Sequence, residues 1–149
     1  MPNSNINYYL CTEFINYFNK NLGDTGLCLL HFIASNETDL NTDPWIHNYI
    51  FPSGLIPSLS QIGKAMEEKL VLEDLQNIGL HYDYTLMAWQ ENFKNSWNSL
   101  KTEYDETFYR MWIFYLSISA ASFRSRRLNL WQLVVTKPSF QKEYKSIRF

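Results

Sequence analysis

The sequence predicts an α/β domain, and three observations carry that prediction. Short apolar runs without helical period occur at residues 27–33, 70–75 and 129–136. Segments with helical spacing or helix-start signals lie between and before them. The first run, Gly26-Leu27-Cys28-Leu29-Leu30-His31-Phe32-Ile33, is uncharged and mostly apolar, which reads as a strand buried on both faces of a helix-covered sheet. The chain has 149 residues and is 46% hydrophobic, enough for one domain with a core and too apolar for disorder.

Taken in order, residues 6–21 read as a helix with Ile6, Leu10, Phe14, Ile15 and Phe18 on one stripe. Gly23-Asp24-Thr25-Gly26 stops it, with Gly23 suited to a left-handed cap. The strand 27–33 ends near His31. A titratable ring there is costly without a partner or a task, and ligands bind at the carboxyl ends of strands in open α/β sheets. Residues 34–44 form a polar loop, and Pro44 opens a short helix through Ile50. Pro52-Ser53-Gly54 is a turn. Ser58-Leu59-Ser60-Gln61 matches a capping box, so a helix runs from about Ser58 to Lys69. Leu70 to Leu75 is a second strand.

A long helical stretch follows. Leu86, Trp89, Phe93, Trp97 and Leu100 step by three or four, as do Phe108, Met111, Trp112, Tyr115, Leu116 and Phe123. Asn129 to Thr136 is the last strand. Three strands make a narrow sheet, and neither GxGxxG nor a Walker A loop occurs. The pattern therefore reads as the second half of a doubly wound fold.

Charge is unevenly spread. Residues 1–123 hold 6 Lys/Arg and 14 Asp/Glu, whereas residues 124–149 hold 7 and 1. The basic group is Arg124, Arg126, Arg127, Lys137, Lys142, Lys145 and Arg148. A basic end on an acidic body points to an anionic partner surface, membrane or nucleic acid. Cys11 and Cys28 show no metal-binding spacing, so no metal is expected. The start lacks the basic, then apolar pattern of a signal peptide, and no 18-residue apolar run spans a membrane. The expected place is the cytoplasm.

Several blocks carry more than their periodicity. They are Leu29-Leu30-His31-Phe32-Ile33, Thr38-Asp39-Leu40-Asn41-Thr42-Asp43-Pro44-Trp45-Ile46 and Tyr49-Ile50-Phe51-Pro52-Ser53-Gly54-Leu55-Ile56-Pro57-Ser58. Later come Leu72-Glu73-Asp74, His81-Tyr82-Asp83-Tyr84-Thr85-Leu86-Met87-Ala88-Trp89, Arg110-Met111-Trp112, Tyr115-Leu116, Ala121-Ser122-Phe123-Arg124 and Leu130-Trp131-Gln132-Leu133-Val134. In this order, over nearly all of residues 10–137, they resemble the cyclopropane-fatty-acyl-phospholipid synthases of the mycolic acid cyclopropane synthase family.

The resemblance implies an S-adenosylmethionine-dependent C-methyltransferase acting in lipid biosynthesis. Such enzymes add a methylene across the cis double bond of an acyl chain in a membrane phospholipid, with bicarbonate as the proposed base. A Glu, a His and a Tyr hold that anion with backbone help. The His and Tyr match His31 and Tyr82, whose N–H and O–H are both donors, and Ile33 matches the backbone contact. The family's insertion lies over the acyl pocket, which makes Trp89, Phe93, Met111, Trp112 and Tyr115 candidates for its lining. Arg124, Arg126, Arg127 and Lys137 are candidates for headgroup contact. Glu73 and Asp74 read as strand-end acids, and His47 and His81 as surface or structural.

The chain also departs from the family. The glycine-rich adenosylmethionine loop, a Cys near the anion and a Glu-His-Val-Gly stretch have no counterpart here and are expected before residue 1. Glu13 lacks the neighbours of the family's Glu, and Phe32 stands where the family has Thr. The expected fold is thus the C-terminal half of a class I, Rossmann-like methyltransferase. Residues 1–149 form a single partial domain with a helical insertion at about 81–124 and a last strand at about 128–136. The expected partners are an unsaturated membrane phospholipid and the N-terminal half of the enzyme, with no nucleic acid. The expected site of action is peripheral, at the inner membrane surface. Alone, the chain is expected to have little activity and, with an exposed apolar strand edge, poor solubility. A non-catalytic lipid-binding or partner module, or the remnant of a split gene, is the alternative.

Overall fold

The computed structural model describes residues 5–38 and 41–146, with side chains from residue 9 onward. Ile6, Asp39, Leu40 and Arg148, named above, fall outside what it describes at side-chain level. The elements are α1 (Asn5–Asn21), β1 (Cys28–Ser35), α2 (Pro44–Tyr49), α3 (Leu59–Met66), β2 (Val71–Asn77), α4 (Gly79–Leu100), α5 (Glu106–Arg124) and β3 (Leu128–Thr136). They divide into two compact units. One takes the chain up to Asn77 and from Leu130 onward; the other is Ile78–Asn129.

In the first unit a three-stranded sheet has the order β1-β3-β2. The last strand inserts between the other two and runs antiparallel to β2, from Val71 opposite Thr136 to Asn77 opposite Trp131. A bulge lies between Leu72 and Asp74, leaving Glu73 the extra residue. Glu73 then accepts a hydrogen bond from the Thr136 hydroxyl at 2.7 Å. Asp74 accepts from Tyr144 at 3.1 Å and Ser146 at 3.2 Å, which ties the C-terminal segment to β2.

One face of the sheet packs on α1 and α3. Leu30, Leu133 and Val135 meet Cys11 and Ile15 of α1 and Ile62, Ala65 and Met66 of α3, with Leu70 completing the core. The period of two puts Cys28 and Phe32 on the same side. Burial leaves the thiols of Cys11 and Cys28 above their ordinary pKa, so both stay protonated at neutral pH.

Local signals set the boundaries. Asp43 caps α2 by accepting from the backbone N–H groups of Trp45 and Ile46, with Pro44 at its first position. Ser58 and Gln61 form the reciprocal capping box of α3. The Ser58 hydroxyl also bonds Thr38 at 2.8 Å. The 52–54 turn holds Ser53 at φ 61°, and its N–H donates to His47 Nδ1 at 3.0 Å, which gives His47 a structural task.

Three expectations are corrected. The buried stripe of α1 is Cys11 and Ile15, with Phe18 and Leu22 packed against it, whereas Leu10 and Phe14 are 57% and 50% exposed. Both sets are apolar at helical spacing, and the sheet covers only one of them. Strand β1 is not buried on both faces: Leu29 is 58% exposed and His31 points out beside it. No glycine among the described residues has a positive φ, so the expected left-handed cap at Gly23 is absent. Gly23 instead closes the turn with its carbonyl, which accepts from the Gly26 N–H at 2.9 Å.

The second unit is a helical hairpin in which α4 packs on α5 through Leu86, Leu116, Ala120 and Phe123. Asp105 caps α5 by accepting from the Phe108 N–H at 2.8 Å. Buried Gln90 crosses the seam, donating to Ser117 Oγ at 2.6 Å and accepting from Lys94 at 3.0 Å.

Truncation tests which stripe of α1 is structural. Ile15→Ala removes a fully buried side chain and should cost about 2–5 kcal/mol. Phe14→Ala should cost below about 1 kcal/mol. Urea unfolding of both variants reads the difference; equal losses would contradict the packing described.

Candidate active site

His31 occupies the fourth position of β1 and Ile33 the sixth, so His31 is mid-strand and not at the carboxyl end. The strand runs on to Ser35, whose N–H donates to the Pro57 carbonyl at 2.9 Å. On the sheet face opposite the core, His31 Nδ1 lies 3.1 Å from Gln132 Nε2 of the neighbouring β3. An amide nitrogen only donates, so Nδ1 accepts and the ring proton sits on Nε2. His31 therefore presents an N–H donor to solvent, the polarity an anion requires.

Tyr82 stands in the first turn of α4, half-buried. Its ring meets Phe123 edge-on at 5.0 Å and Trp89 edge-on at 5.9 Å. Next to it Asp83 takes a two-pronged contact from Arg124, with Nε to Oδ2 at 2.8 Å and Nη2 to Oδ1 at 2.9 Å. The guanidinium hydrogen-bonded to Asp83 holds that carboxyl below its ordinary value. Burial pushes the Tyr115 hydroxyl up; a bond with Ser119 opposes this, and nearby Tyr82 adds to the rise.

Of the proposed pocket residues, Phe93, Trp112 and Tyr115 lie half-buried in a run of rings. Phe93 stacks on Tyr109 at 5.6 Å and meets Trp112 at 6.4 Å, and Trp112 meets Tyr115 at 5.2 Å. Met111 is half-buried and Trp89 is 49% exposed. His31 and Ile33 belong to the first unit, and Tyr82 and all five pocket candidates to the second.

The basic candidates separate. Arg124 pairs with Asp83 through Nε and Nη2 while its side chain stays 63% exposed. Lys137 lies 4.0 Å from Asp24. Arg126 and Arg127 are exposed at the end of α5. Sequence reasoning missed Gln132 and the Asp83–Arg124 pair. Their partners are 101 and 41 residues away, and only the pairing of elements reveals them. Among the described residues no group of three His, Cys, Asp or Glu is placed to hold a metal. No described helix is long and apolar enough to cross a membrane.

Comparison with known proteins gives the class. The family model for mycolic acid cyclopropane synthetase matches residues 5–133, and the chain belongs to that family. It is 48% identical over 118 residues to the cyclopropane-fatty-acyl-phospholipid synthase of Escherichia coli, across 79% of this chain and 31% of that protein. It is 43% identical over 79 residues to the synthase of the same name from Citrobacter freundii, across 53% of this chain and 89% of that sequence. The chain thus spans about a third of the length of the E. coli relative. In structure it resembles the cyclopropane synthase MmaA2 of Mycobacterium tuberculosis, with TM-score 0.77, 22% identity, and 87% and 50% of the two chains covered. It also resembles the mycolic acid cyclopropane synthase CmaA1 solved with SAH and CTAB, with TM-score 0.76 and 22% identity over 87% and 50%. The sheet and helices are therefore part of a methyltransferase fold of the cyclopropane synthase type.

Two outcomes test the geometry. Nitrogen-15 spectra of the labelled chain should show His31 as the Nε2–H tautomer at neutral pH, and Gln132→Glu, which can only accept, should shift it to Nδ1–H. Because the Asp83 pKa is depressed on folding, its bridge stabilises the hairpin fully above the ordinary value of 3.8 and loses effect as pH falls through the lower folded value. Acid unfolding followed by circular dichroism should accordingly show less pH dependence in Asp83→Asn.

Proposed function

We propose that this chain is the C-terminal part of a cyclopropane-fatty-acyl-phospholipid synthase. The whole enzyme would transfer a methylene from S-adenosylmethionine to the cis double bond of a phospholipid acyl chain. The observation that carries this reading is the family match over residues 5–133, with 48% identity over 118 residues to the E. coli synthase; the resemblance assigns the anion site two donors. His31, fixed by Gln132, offers Nε2–H, and Tyr82, boxed by Phe123 and Trp89, offers a phenol. The Ile33 backbone is assigned the third contact.

Bicarbonate held by these groups would supply the base that removes a proton as the ring closes. His31 and Tyr82 bind and orient that anion by donating hydrogen bonds, and they need no change of charge to do so. The ring cluster of Phe93, Trp112 and Tyr115 supplies apolar walls for an acyl chain and ring faces that steady positive charge. The residues present do not fit the methyl donor: no glycine-rich loop occurs in the sequence, and the glycines flanking the turn before β1 keep negative φ. The donor's binding is assigned to an N-terminal half, as is the carboxylate of the anion site. Work is assigned to the inner membrane surface.

Incorporation of labelled methyl groups into unsaturated phospholipid tests this. The chain alone should show little or none, because positioning of the methyl donor supplies much of the rate. Adding the N-terminal half of a synthase in trans should restore transfer. In that mixture His31→Ala and Tyr82→Phe should each cost roughly 100-fold. Robust transfer by the chain alone, or full activity of both variants, would overturn the assignment.

A further inference from the structure

Tyr82 keeps its place without help from its own hydroxyl. Among the described residues no hydrogen bond holds that group, and Ile78, where α4 begins, gives the helix no side-chain cap. The first turn of α4 therefore takes its position from contacts with α5. Two of these lie side by side. Tyr82 meets the ring of Phe123 edge-on at 5.0 Å. The next residue of α4, Asp83, accepts the two-pronged contact of the next residue of α5, Arg124, at 2.8 and 2.9 Å. Phe123 is 2% exposed and the Asp83 side chain 11%. All four residues belong to the hairpin unit.

The ion pair is a minor source of stability, since a pair with so exposed an arginine adds little. Leu86, Leu116 and Ala120 bury the seam between the helices. What the pair adds is geometry. A slip of one residue moves a helix about 1.5 Å along its axis, and a planar fork bound through two nitrogens does not survive that shift. We propose that Asp83 and Arg124 are positioning residues for Tyr82: their fork sets where the first turn of α4 stands against α5, and so seats the Tyr82 ring on Phe123 with its O–H left to meet an anion. Neither residue touches a reacting atom. The role needs a fork and not only a positive charge, so a lysine at position 124 would keep the charge and lose the function. The inference rests on the reading of Tyr82 as an anion donor, yet the placement of its ring can be followed without any methyl transfer.

Two measurements test it. In carbon-13 spectra of the full chain labelled in its tyrosine rings, the Tyr82 signals are those lost in Tyr82→Phe. In Asp83→Asn and in Arg124→Lys they should move toward the positions of free tyrosine. Those of Tyr109, stacked on Phe93 further along the hairpin, should stay in place. If Asp83→Asn moves the Tyr109 signals as well, Arg124→Lys decides; movement of Tyr109 in both variants would mark the pair as structural and overturn the proposal. In the mixture with an N-terminal half, both variants should raise the bicarbonate concentration for half-maximal methyl transfer roughly 10-fold and leave that for S-adenosylmethionine unchanged. In a Tyr82→Phe background the same substitutions should add less than about two-fold, because they act through the missing hydroxyl. Unmoved Tyr82 signals in both variants, an equal rise for the two ligands, or a full effect retained in Tyr82→Phe would overturn the proposal. If the parent chain with the N-terminal half transfers nothing, the reading of function fails, and the ring signals still decide whether the pair places Tyr82.

Discussion

The last strand governs what the rest of this molecule does. β3 enters between β1 and β2, so the sheet exists only when residues from the far end of the chain return to it. Leu133 and Val135 bring the core two of its least exposed side chains, 1% and 0%. The same strand turns Gln132 to the opposite face, where it sets the proton of His31. A single period-two element therefore fills the core with one set of residues and fixes a candidate catalytic ring with the other. The pairing is non-local, so its contacts must first outweigh the entropy of closing long loops.

The antiparallel pairing also constrains the helical hairpin. Asn77 and Trp131 face each other across β2 and β3, so the chain leaving one strand must come back to the other. Two antiparallel helices of similar length meet that condition. α4 and α5 have 22 and 19 residues, or about 33 and 28 Å at 1.5 Å per residue. The Asp83–Arg124 pair ties the start of α4 to the end of α5. A salt bridge at that point registers one helix against the other, and the aromatic contacts of Tyr82 follow from that register.

Elements whose signals are local were legible in the sequence. The Ser58–Gln61 box, Asp43 before Pro44 and the alternation of β3 each depend on residues a few positions apart, and each stands where the pattern puts it. The face of α1 was legible only in part: Ile15 and Phe18 of the expected stripe meet the core, but Leu10 and Phe14 are as apolar as Cys11 and are exposed. Only the position of the sheet chooses between them. For the same reason β1 read as buried on both faces. Its composition fits a strand with cover on both sides, but the described chain covers one. His31 and Tyr82 were found through resemblance, since a lone histidine or tyrosine in a single sequence carries little signal. Their partners Gln132 and Phe123 belong to distant elements and needed the fold.

The exposed apolar surface follows from these constraints and has two separate origins. Leu10, Phe14 and Tyr17 on α1 and Leu27 and Leu29 at β1 lie on the sheet unit, where an edge strand leaves backbone groups open to pairing. Leu80, Tyr84 and Met87 lie on the hairpin unit, on a helix. The first set is flat, uncharged and strand-bordered, the character of a surface that another part of a sheet covers. The two exposed apolar sets therefore call for different covers, since one borders backbone groups of a sheet edge and the other lies on a helix whose own backbone groups are already bonded.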